Sequence, residues 1–322
     1  MTMAAQQTGR AMFAPVRACW VCGGMSLTRF HEAAFDFALY AEQDPGIHAY
    51  DRASVWLVRC AACGFAQPEA LPTLPDYFDR MYDQRWSEDW VEQEFDARYK
   101  DVIFNGILRE LDRRHAATPG ASRRLLDVGA HAGRFMHIAA QEGWDVEGIE
   151  LNPRTAACAA RRTGRPVHQV NAHTLAAGEH KYAAITLTDV LEHIPEPLML
   201  LKTLARMLEP GGTIAVKVPS GPGQWRKERL LSALMPGRRI SIAGNLVHVN
   251  HFSPRALRMA LERVGLVYIS VGTGAPELLP GGALASRASN ALRLAVYAAA
   301  RLPGAVHTPL ALNLQAYAQR PV

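Results

Sequence analysis

Residues 124–133 read RLLDVGAHAG, and this stretch decides the fold. Its opening apolar run ends at Gly129, and residues 131–140 then place apolar side chains at helical intervals before Gly143. A strand, a tight glycine loop and a helix are therefore predicted in that order. Glycines in such a loop let the backbone approach a bound ligand closely.

The alternation of strand and helix continues after this loop. Strands are predicted at residues 144–149, 167–170, 182–188 and 213–218, with helices after Asn152-Pro153 and over 195–209. This order predicts an α/β fold, in which helices cover both faces of a parallel sheet. Ligands bind such sheets outside the carboxyl ends of the strands. Glu150 follows one of these strands, and its carboxylate suits two vicinal ribose hydroxyls, so a nucleoside-bearing cofactor is expected.

The glycine loop discriminates between nucleoside cofactors. A dinucleotide fingerprint needs three closely spaced glycines for a pyrophosphate, whereas here Asp127 precedes Gly129 and Gly133. That acid would repel a pyrophosphate and attract an ammonium group. The stretch resembles the first motif, D-x-G-x-G-x-G, of the class I S-adenosylmethionine-dependent methyltransferases, with His131 in place of the middle glycine.

The resemblance covers residues 76–266 and implies both a fold and a set of site residues. It implies a seven-stranded Rossmann-like sheet whose seventh strand, supplied by residues 312–318, is antiparallel beside the fifth. It assigns the methionine part of the cofactor to the glycine loop, the ribose to the next strand end, and adenine to the one after. The cofactor-binding residues that it implies are Asp127, Gly129, Ala130, His131, Gly133, Glu150, Leu151, Asn171, Ala172, Thr188, Asp189 and Val190.

Three histidines are candidate catalytic bases. Methyl transfer is a displacement at a sulfonium carbon, so the protein mainly orients the acceptor and removes its proton. His193, His248 and His251 are candidates because imidazole titrates near neutral pH. His193 follows the fourth strand, beside the expected methyl group, and is the first choice. The alternative for each is a structural histidine that caps a helix or bonds within the core.

Two cysteine pairs precede this region: Cys19 with Cys22, and Cys60 with Cys63, each pair followed by glycine. A two-residue gap lets both thiolates of a pair reach one ion, and four thiolates complete the coordination of a structural zinc. The 37 residues between the pairs exceed the usual gap, so the acidic stretch 35–51 is expected to loop out. The alternative is two unrelated pairs of reduced cysteines.

These patterns divide the chain into three parts. Residues 1–75 are predicted to form a zinc-ribbon-like domain, residues 76–118 a helical linker or cap, and residues 119–322 the cofactor-binding domain. Two insertions are expected in the last part, a cap at 221–250 and a helical insertion at 275–308. The cap combines basic and apolar side chains that suit a phosphate-bearing acceptor or an anionic membrane surface, with a solvated basic face as the alternative. Its candidate substrate residues are Trp225, Arg226, Lys227 and Arg229.

The positive charge of the chain is segregated. The formal net charge is +5, but residues 217–322 carry 13 basic and 3 acidic side chains, against 22 and 27 in residues 1–216. An acidic cofactor half suits a cationic sulfonium donor, and a basic last third suits an anionic acceptor. The sequence shows neither an apolar run of about 18 residues nor a secretory signal, so a cytoplasmic location is expected. Peripheral contact with the inner membrane surface is a second option.

The composition, 49% hydrophobic and 20% charged, excludes wholesale disorder and a coiled coil. The sequence favours a methyltransferase with S-adenosylmethionine as cofactor and a structural zinc. Its acceptor is expected to be a sugar, a nucleotide sugar or a lipid-linked glycan, methylated on oxygen rather than carbon. An RNA methyltransferase is one alternative, although the basic residues lie away from the ribbon, which argues against nucleic acid. A non-catalytic cofactor-binding scaffold is the other.

Overall fold

The computed structural model describes residues 12–83, 88–118, 120–172, 175, 181–235 and 242–322. Its N-terminal part contains the elements β1 (Phe13–Pro15), β2 (Leu27–Ala34), α1 (Pro45–His48), β3 (Ser54–Cys60), β4 (Ala66–Pro68) and β5 (Ala70–Pro72). Strands β2, β3 and β4 form an antiparallel sheet, and β1 pairs with β5. One cysteine pair precedes β2 and the other joins β3 to β4, so the sheet brings the two pairs together.

The stretch 35–51 loops out between the paired ends of β2 and β3, as expected, and it packs into a core of its own rather than extending into solvent. Four of its large apolar side chains are buried, Phe35, Phe37, Ile47 and Tyr50, whereas Leu39 is exposed. Three of these rings pack around Tyr77, with centroid separations of 5.6 to 6.3 Å. The acids do not oppose this burial, because Asp44 caps α1 by accepting the backbone N–H groups of Gly46 and Ile47.

Three helices connect the N-terminal part to the central sheet, in the segment predicted as a helical linker or cap. They are α2 (Tyr77–Asp83), α3 (Glu88–Asp96) and α4 (Asp101–Ala116). Helix α4 buries one apolar face, with Ile103, Ile107 and Leu111 in the same core cluster as Leu125 and Trp144. Helix α4 therefore packs as part of the core of the central sheet.

The central sheet has the seven strands that the resemblance implies. They are β6 (Arg124–Val128), β7 (Asp145–Ile149), β8 (Val167–His168), β9 (Tyr182–Thr188), β10 (Leu208–Pro219), β11 (Val267–Thr273) and β12 (Asn313–Gln319). Their order across the sheet is β11-β12-β10-β9-β6-β7-β8. Strand β12 is antiparallel to both its neighbours, which confirms the antiparallel seventh strand beside the fifth. The α/β fold class is likewise confirmed.

The register of the parallel strands places three strand ends side by side. Val128 at the end of β6 pairs with Ile149 on one side and Leu187 on the other. The residues that follow β6, β7 and β9 therefore share one edge of the sheet. This edge is where the sequence places the ligand.

Helices cover both faces of the sheet: α5 (Arg134–Gln141), α6 (Pro153–Thr163), α7 (Pro197–Met207) and α9 (Pro254–Arg263). Helix α7 is shorter than the predicted span 195–209. Glu196 has a left-handed backbone, φ 51°, so it precedes the helix, and Leu208 already pairs with Tyr182 as part of β10. The sequence Pro210-Gly211-Gly212 therefore makes an irregularity within β10 and does not separate helix from strand.

Both predicted insertions contain a helix, α8 (Gly221–Leu234) and α10 (Leu284–Ala300). Residues 236–241 of the predicted cap lie outside the described part of the chain. Helix α10 is exposed along most of its length and buries only Ala300. No helix among the described residues is long and apolar enough to cross a membrane.

Candidate active site

A cleft of about 740 Å³ opens at the shared edge of β6, β7 and β9. Its volume is in the range that binds a nucleoside-sized ligand. The predicted residues that line it are Gly129, His131, Glu150, Leu151, Asn171, Ala172, Thr188, Asp189, Val190, His193 and His248. Asp127 and Ala130 line a smaller cavity that shares Gly129, His131 and Thr188 with the cleft. Gly133 lines neither cavity.

The loop after β6 requires its two glycines because neighbouring residues approach them closely. A Cβ at Gly129 would lie 2.3 Å from Cγ2 of Val190, and one at Gly133 would lie 2.9 Å from Ala159. Gly133 thus permits α6 to pack against the loop. His131, which stands where the resemblance implies a glycine, has a left-handed backbone with φ 50°. Histidine tolerates this conformation better than most residues.

His131 presents its side chain to the cleft in the neutral form. Burial, assisted by the positive charge of Lys100, lowers the pKa of His131 to about 4. The imidazole therefore adds hydrogen-bonding capacity without adding a cation beside a site expected to hold a sulfonium.

Glu150 is held in place by the backbone of its own edge. Its Oε2 accepts the N–H of His131 at 2.8 Å, and its Oε1 accepts the N–H of Asn152 at 3.0 Å. Burial raises the pKa of Glu150, and these backbone donors oppose that shift. Each carboxylate oxygen has a second lone pair, so the side chain can still accept from two ribose hydroxyls.

Asp127 is a buried acid at the end of β6. Its carboxylate accepts a hydrogen bond from the Thr186 hydroxyl at 2.7 Å. Burial is the main reason that the pKa of Asp127 rises to about 7, and the charge of Glu150 raises it further. A cation in the adjoining cavity would stabilise the ionised form. The arrangement fits the ammonium group of an amino acid.

Asp189 follows β9 and lies between two lysines. Its carboxylate accepts from Lys217 Nζ at 2.5 Å and from Lys100 Nζ at 3.2 Å. These two charges hold the pKa of Asp189 below its ordinary value in spite of burial. Lys100 also lies 3.6 Å from Glu277. The network closes one end of the cleft.

Helix α2 forms a wall of the cleft that the sequence did not predict. Phe78, Asp79 and Arg80 line it, and Asp79 accepts a hydrogen bond from Asn171 Nδ2 at 2.6 Å. Sequence reasoning also missed Glu94, Tyr99, Lys100 and Lys217. The sequence did contain a sign of Lys217, because this residue is a lone charge within the apolar strand run 213–218. In the structure Lys217 is only 3% exposed, so a buried partner for its charge is required. Glu94 lies in α3, and Tyr99 and Lys100 lie in the turn between α3 and α4, so their place at the cleft depends on long-range packing.

His193 and His248 lie together at the cleft, with ring centroids 4.8 Å apart. The Nδ1 atom of His193 lies 2.6 Å from the carbonyl oxygen of Val247. Since a carbonyl only accepts, Nδ1 carries the proton and Nε2 of the neutral ring has a lone pair. That lone pair is what a base requires.

His251, the third candidate base, lies outside the cleft. It is 3% exposed, its backbone bridges to Ala66 of β4, and its ring packs on Trp225 at 5.3 Å. Burial, with the neighbouring His31 and Arg59, lowers the pKa of His251 to about 3. The structure therefore places it between the ribbon and α8 and away from any acceptor in the cleft.

The four candidate substrate residues of α8 also lie away from the cleft. Trp225 is 2% exposed and packs on Phe30 and His31 of β2, with ring centroids 5.1 and 4.7 Å away. Arg226 and Arg229 are exposed, and Lys227 lies 3.6 Å from Glu228. Trp225 is thus buried against the ribbon sheet, which the sequence alone did not reveal, whereas Leu230 and Leu234 of the same helix are exposed.

The four predicted zinc ligands form one cluster. The sulfur atoms of Cys19, Cys22, Cys60 and Cys63 all lie within 4.8 Å of one another. The Sγ atoms of Cys19 and Cys63 are 3.6 Å apart, and those of Cys22 and Cys60 are 3.4 Å apart. A tetrahedral zinc with Zn–S bonds of about 2.3 Å needs sulfurs roughly 3.8 Å apart. The donor set therefore fits a structural zinc.

Comparison with known proteins decides the family. A family model for the methyltransferase domain matches residues 96–271, more than half of the chain. The chain belongs to this family. The family segment begins in α3 and ends in β11, so it contains the glycine loop, both histidines of the cleft and most of the cleft lining, but not the wall formed by α2.

Curated relatives of this methyltransferase include an enzyme named ubiquinone biosynthesis O-methyltransferase, from Xanthomonas campestris pv. campestris strain B100. The two are 29% identical over 145 residues, which is 43% of this chain and 57% of the relative. The chain thus spans just over half the length of that relative.

Two solved structures are also similar. Magnesium protoporphyrin IX methyltransferase from Synechocystis PCC 6803, with bound SAH, has a TM-score of 0.47 and 14% identity, and the match covers 76% of this chain and 93% of that one. The sugar N-methyltransferase KedS8 from Streptoalloteichus sp ATCC 53650 has a TM-score of 0.34 and 26% identity, over 45% of this chain and 55% of that one.

Proposed function

We propose that the protein transfers a methyl group from S-adenosylmethionine to an oxygen atom of a small-molecule acceptor. The observation that carries the proposal is the placement of Asp127 and Glu150 at adjacent strand ends, with Glu150 in the cleft, Asp127 in the smaller cavity beside it and His193 after the third strand. Asp127 can pair with the ammonium group of that cofactor, and Glu150 can accept hydrogen bonds from its ribose hydroxyls. The name of the curated relative supports methylation on oxygen.

The roles of the chain's own residues follow from this placement. When bound, the cofactor supplies an electrophilic methyl group on a sulfonium. Asp127 holds the ammonium end, Glu150 holds the ribose, and the residues around Asn171 and Ala172 flank the adenine. His193, with His248 beside it, faces the acceptor and assists loss of its proton. The acidic cofactor half of the chain favours a cationic donor over its neutral product.

Structural zinc at the four cysteines is part of the same proposal. The compact cluster of thiols supports it, and so does the packing of the ribbon on the core. Cys19, Cys60, Cys63 and Phe65 belong to the same buried cluster as Leu257 of α9. The ion would stabilise the ribbon and, through the core that they share, the methyltransferase domain.

The acceptor is proposed to be anionic, or presented at an anionic surface, as for a nucleotide sugar or a lipid-linked glycan. The charge segregation supports this, and so does α10, which exposes Leu284 and Leu292 beside Arg287 and Arg293. Residues 283–301 contain no acidic side chain. An apolar and basic helix of this kind suits the boundary between lipid headgroups and acyl chains.

Calorimetric titration with S-adenosylhomocysteine tests the cofactor proposal. Wild-type protein should bind it, and Glu150→Ala should weaken binding by about tenfold or more, since hydrogen bonds to a charged group contribute about 1.5–3 kcal/mol. Glu142→Ala is the matched control, because Glu142 is exposed and lies outside the cleft. Absence of binding to the wild-type protein would refute the proposal.

A further inference from the structure

We propose that Glu192, His193 and His248 bind a divalent metal ion in the cleft, separate from the zinc at the cysteines. One ligand atom from each of these residues lies within 4.8 Å of the other two. The Nε2 atom of His193 is 4.0 Å from Oε1 of Glu192, so small side-chain rotations bring both atoms onto one ion. His193 and His248 also line the cleft, which leaves the far side of the ion open to a ligand.

The orientation of His193 is that of a metal ligand. Metal-binding histidines usually donate their second ring N–H to a carboxylate or a backbone carbonyl, which fixes the ring and the tautomer. The Val247 carbonyl fulfils this role at 2.6 Å from Nδ1. The Nε2 lone pair is thereby directed away from Val247, toward the side on which Glu192 lies.

Glu192 supplies an independent reason to expect a cation. Its side chain is 2% exposed, and its Oε2 has no hydrogen-bond partner in the described part of the chain. The cations closest to this region, Lys100 and Lys217, are both bonded to Asp189. A buried carboxyl with an unmatched oxygen is costly, and a bound metal ion removes that cost.

The three ligands are held together by backbone hydrogen bonds between distant segments. The carbonyl of Glu192 accepts the N–H groups of Val249 and Asn250, both at 2.9 Å. Asn250 Nδ2 donates to the carbonyls of Leu191 and Ile194 at 2.7 and 2.6 Å. The turn that carries Glu192 and His193 is therefore fixed against the segment that carries His248. Such preorganisation is what a metal site needs before the ion arrives.

The donor set indicates the kind of ion and what it would do. Two imidazoles and one carboxylate suit Zn²⁺, Mn²⁺ or Fe²⁺ better than Mg²⁺ or Ca²⁺, and three protein ligands leave positions open. If the proposed methyl transfer holds, the acceptor hydroxyl would occupy an open position and release its proton to solvent, so that His193 and His248 assist the loss of this proton as ligands of the ion and not as free bases. The oxygen would then attack the methyl carbon as the carbon–sulfur bond breaks, leaving a neutral thioether. An acceptor with a second oxygen beside that hydroxyl would chelate the ion.

Metal stoichiometry, measured without any acceptor, tests this inference. Zinc-loaded protein is titrated with Mn²⁺, free Mn²⁺ is counted by its EPR signal, and retained zinc is measured on the same sample. The wild type should hold about two ions per chain in total, and Glu192→Gln and His248→Ala about one. His307→Ala is the matched control, because it removes an exposed histidine far from the cleft and should still leave about two.

The outcomes distinguish this inference from the proposed function. Retained affinity for S-adenosylhomocysteine in the two variants shows that they are folded and that only the ion is lost. A wild-type total of about one ion, with normal affinity for S-adenosylhomocysteine, overturns the metal site and leaves the methyltransferase proposal intact. A total of about two that neither variant reduces also overturns it, because the second ion then lies elsewhere.

Discussion

The hydroxyl of Ser253 donates a hydrogen bond to the carbonyl oxygen of Cys63 at 2.8 Å. The same hydroxyl caps α9 by accepting the N–H of Ala256 at 3.0 Å. One side chain thus links the backbone of a predicted zinc ligand to a helix that packs on the central sheet. Beside it, the rings of Phe65 and Phe252 lie 5.0 Å apart, and the ribbon and the methyltransferase domain share a buried core.

Loss of zinc should therefore destabilise the whole chain and not the ribbon alone. Cys60→Ser should lower the zinc content and the melting temperature, and the protein should still unfold in a single transition because the two parts share their core. Thermal unfolding followed by circular dichroism and by intrinsic fluorescence measures this. Cys158→Ala is the control, since Cys158 lies in α6 outside the cluster and its loss should leave the zinc content unchanged. Two separate transitions in Cys60→Ser would contradict the expected coupling.

Cofactor affinity should depend on pH through Asp127. Its pKa of about 7 in the unliganded protein means that acid converts it to a neutral group that cannot pair with an ammonium. Binding below pH 7 must therefore displace a proton, and the affinity for S-adenosylhomocysteine should fall by up to about tenfold per pH unit. Above pH 7 the carboxylate is already ionised, so this dependence should level off.

Asp127→Asn should bind weakly at every pH and lose this dependence. The pKa of Glu94, another carboxyl that lines the cleft, is also raised to about 7 by burial, so Glu94→Gln is the necessary control. If Glu94→Gln abolishes the pH dependence and Asp127→Asn retains it, the ammonium contact is assigned to the wrong acid. Calorimetry from pH 6 to 8 is sufficient to distinguish the two.

The features that the sequence predicted well are those whose chemistry is local. Gly129 and Glu150 belong to short strand-end patterns, and the cysteines to short turns, so each could be recognised without knowledge of the packing. Lys100, which directly precedes α4, and Asp79 of α2 were missed because these segments reach the cleft only through long-range packing. Trp225 was misplaced for the same reason: only the folded chain shows that its ring packs on β2 of the ribbon.

Asn250 should act as a positioning residue for the cleft. Asn250→Ala removes two donors to the turn after β9 and should destabilise the protein by about 1–3 kcal/mol. Its larger effect should be on turnover, because His193 and His248 lose their fixed separation while the cofactor contacts remain. We expect kcat to fall by about tenfold or more, with an unchanged affinity for S-adenosylhomocysteine.

Asn290→Ala is the matched control for Asn250. The Asn290 side chain also bonds to backbone, both donating to and accepting from Leu279, but it lies in α10 away from the cleft. It should leave kcat unchanged. Equal loss of kcat and of cofactor affinity in Asn250→Ala would indicate general unfolding of the cleft and would reject the positioning role.

Trp225 should contribute to stability and not to acceptor binding. Trp225→Ala empties a buried site between α8 and β2, and such substitutions cost about 3–5 kcal/mol. Denaturant unfolding measures this cost. Arg226→Ala, which changes the exposed neighbour, should stay within about 0.5 kcal/mol of the wild type. A loss of acceptor affinity in Trp225→Ala without a change in stability would instead support the sequence-based prediction that this residue binds substrate.

Helix α10 should bind anionic membranes. Its exposed leucines can enter the acyl region while Arg287, Arg293 and Arg301 meet the headgroups, each worth about 1 kcal/mol near an anionic surface. Co-sedimentation with vesicles that contain phosphatidylglycerol should therefore exceed that with phosphatidylcholine alone, and should fall with added salt. Leu292→Glu should abolish it, because Leu292 is 67% exposed and a carboxylate there is repelled by both the lipid tails and the surface. Met199→Glu is the matched control, an equally exposed apolar residue, 65% exposed, on α7. Equal binding to both kinds of vesicle, or an equal loss of vesicle binding in both variants, would show that α10 is an ordinary solvated surface helix.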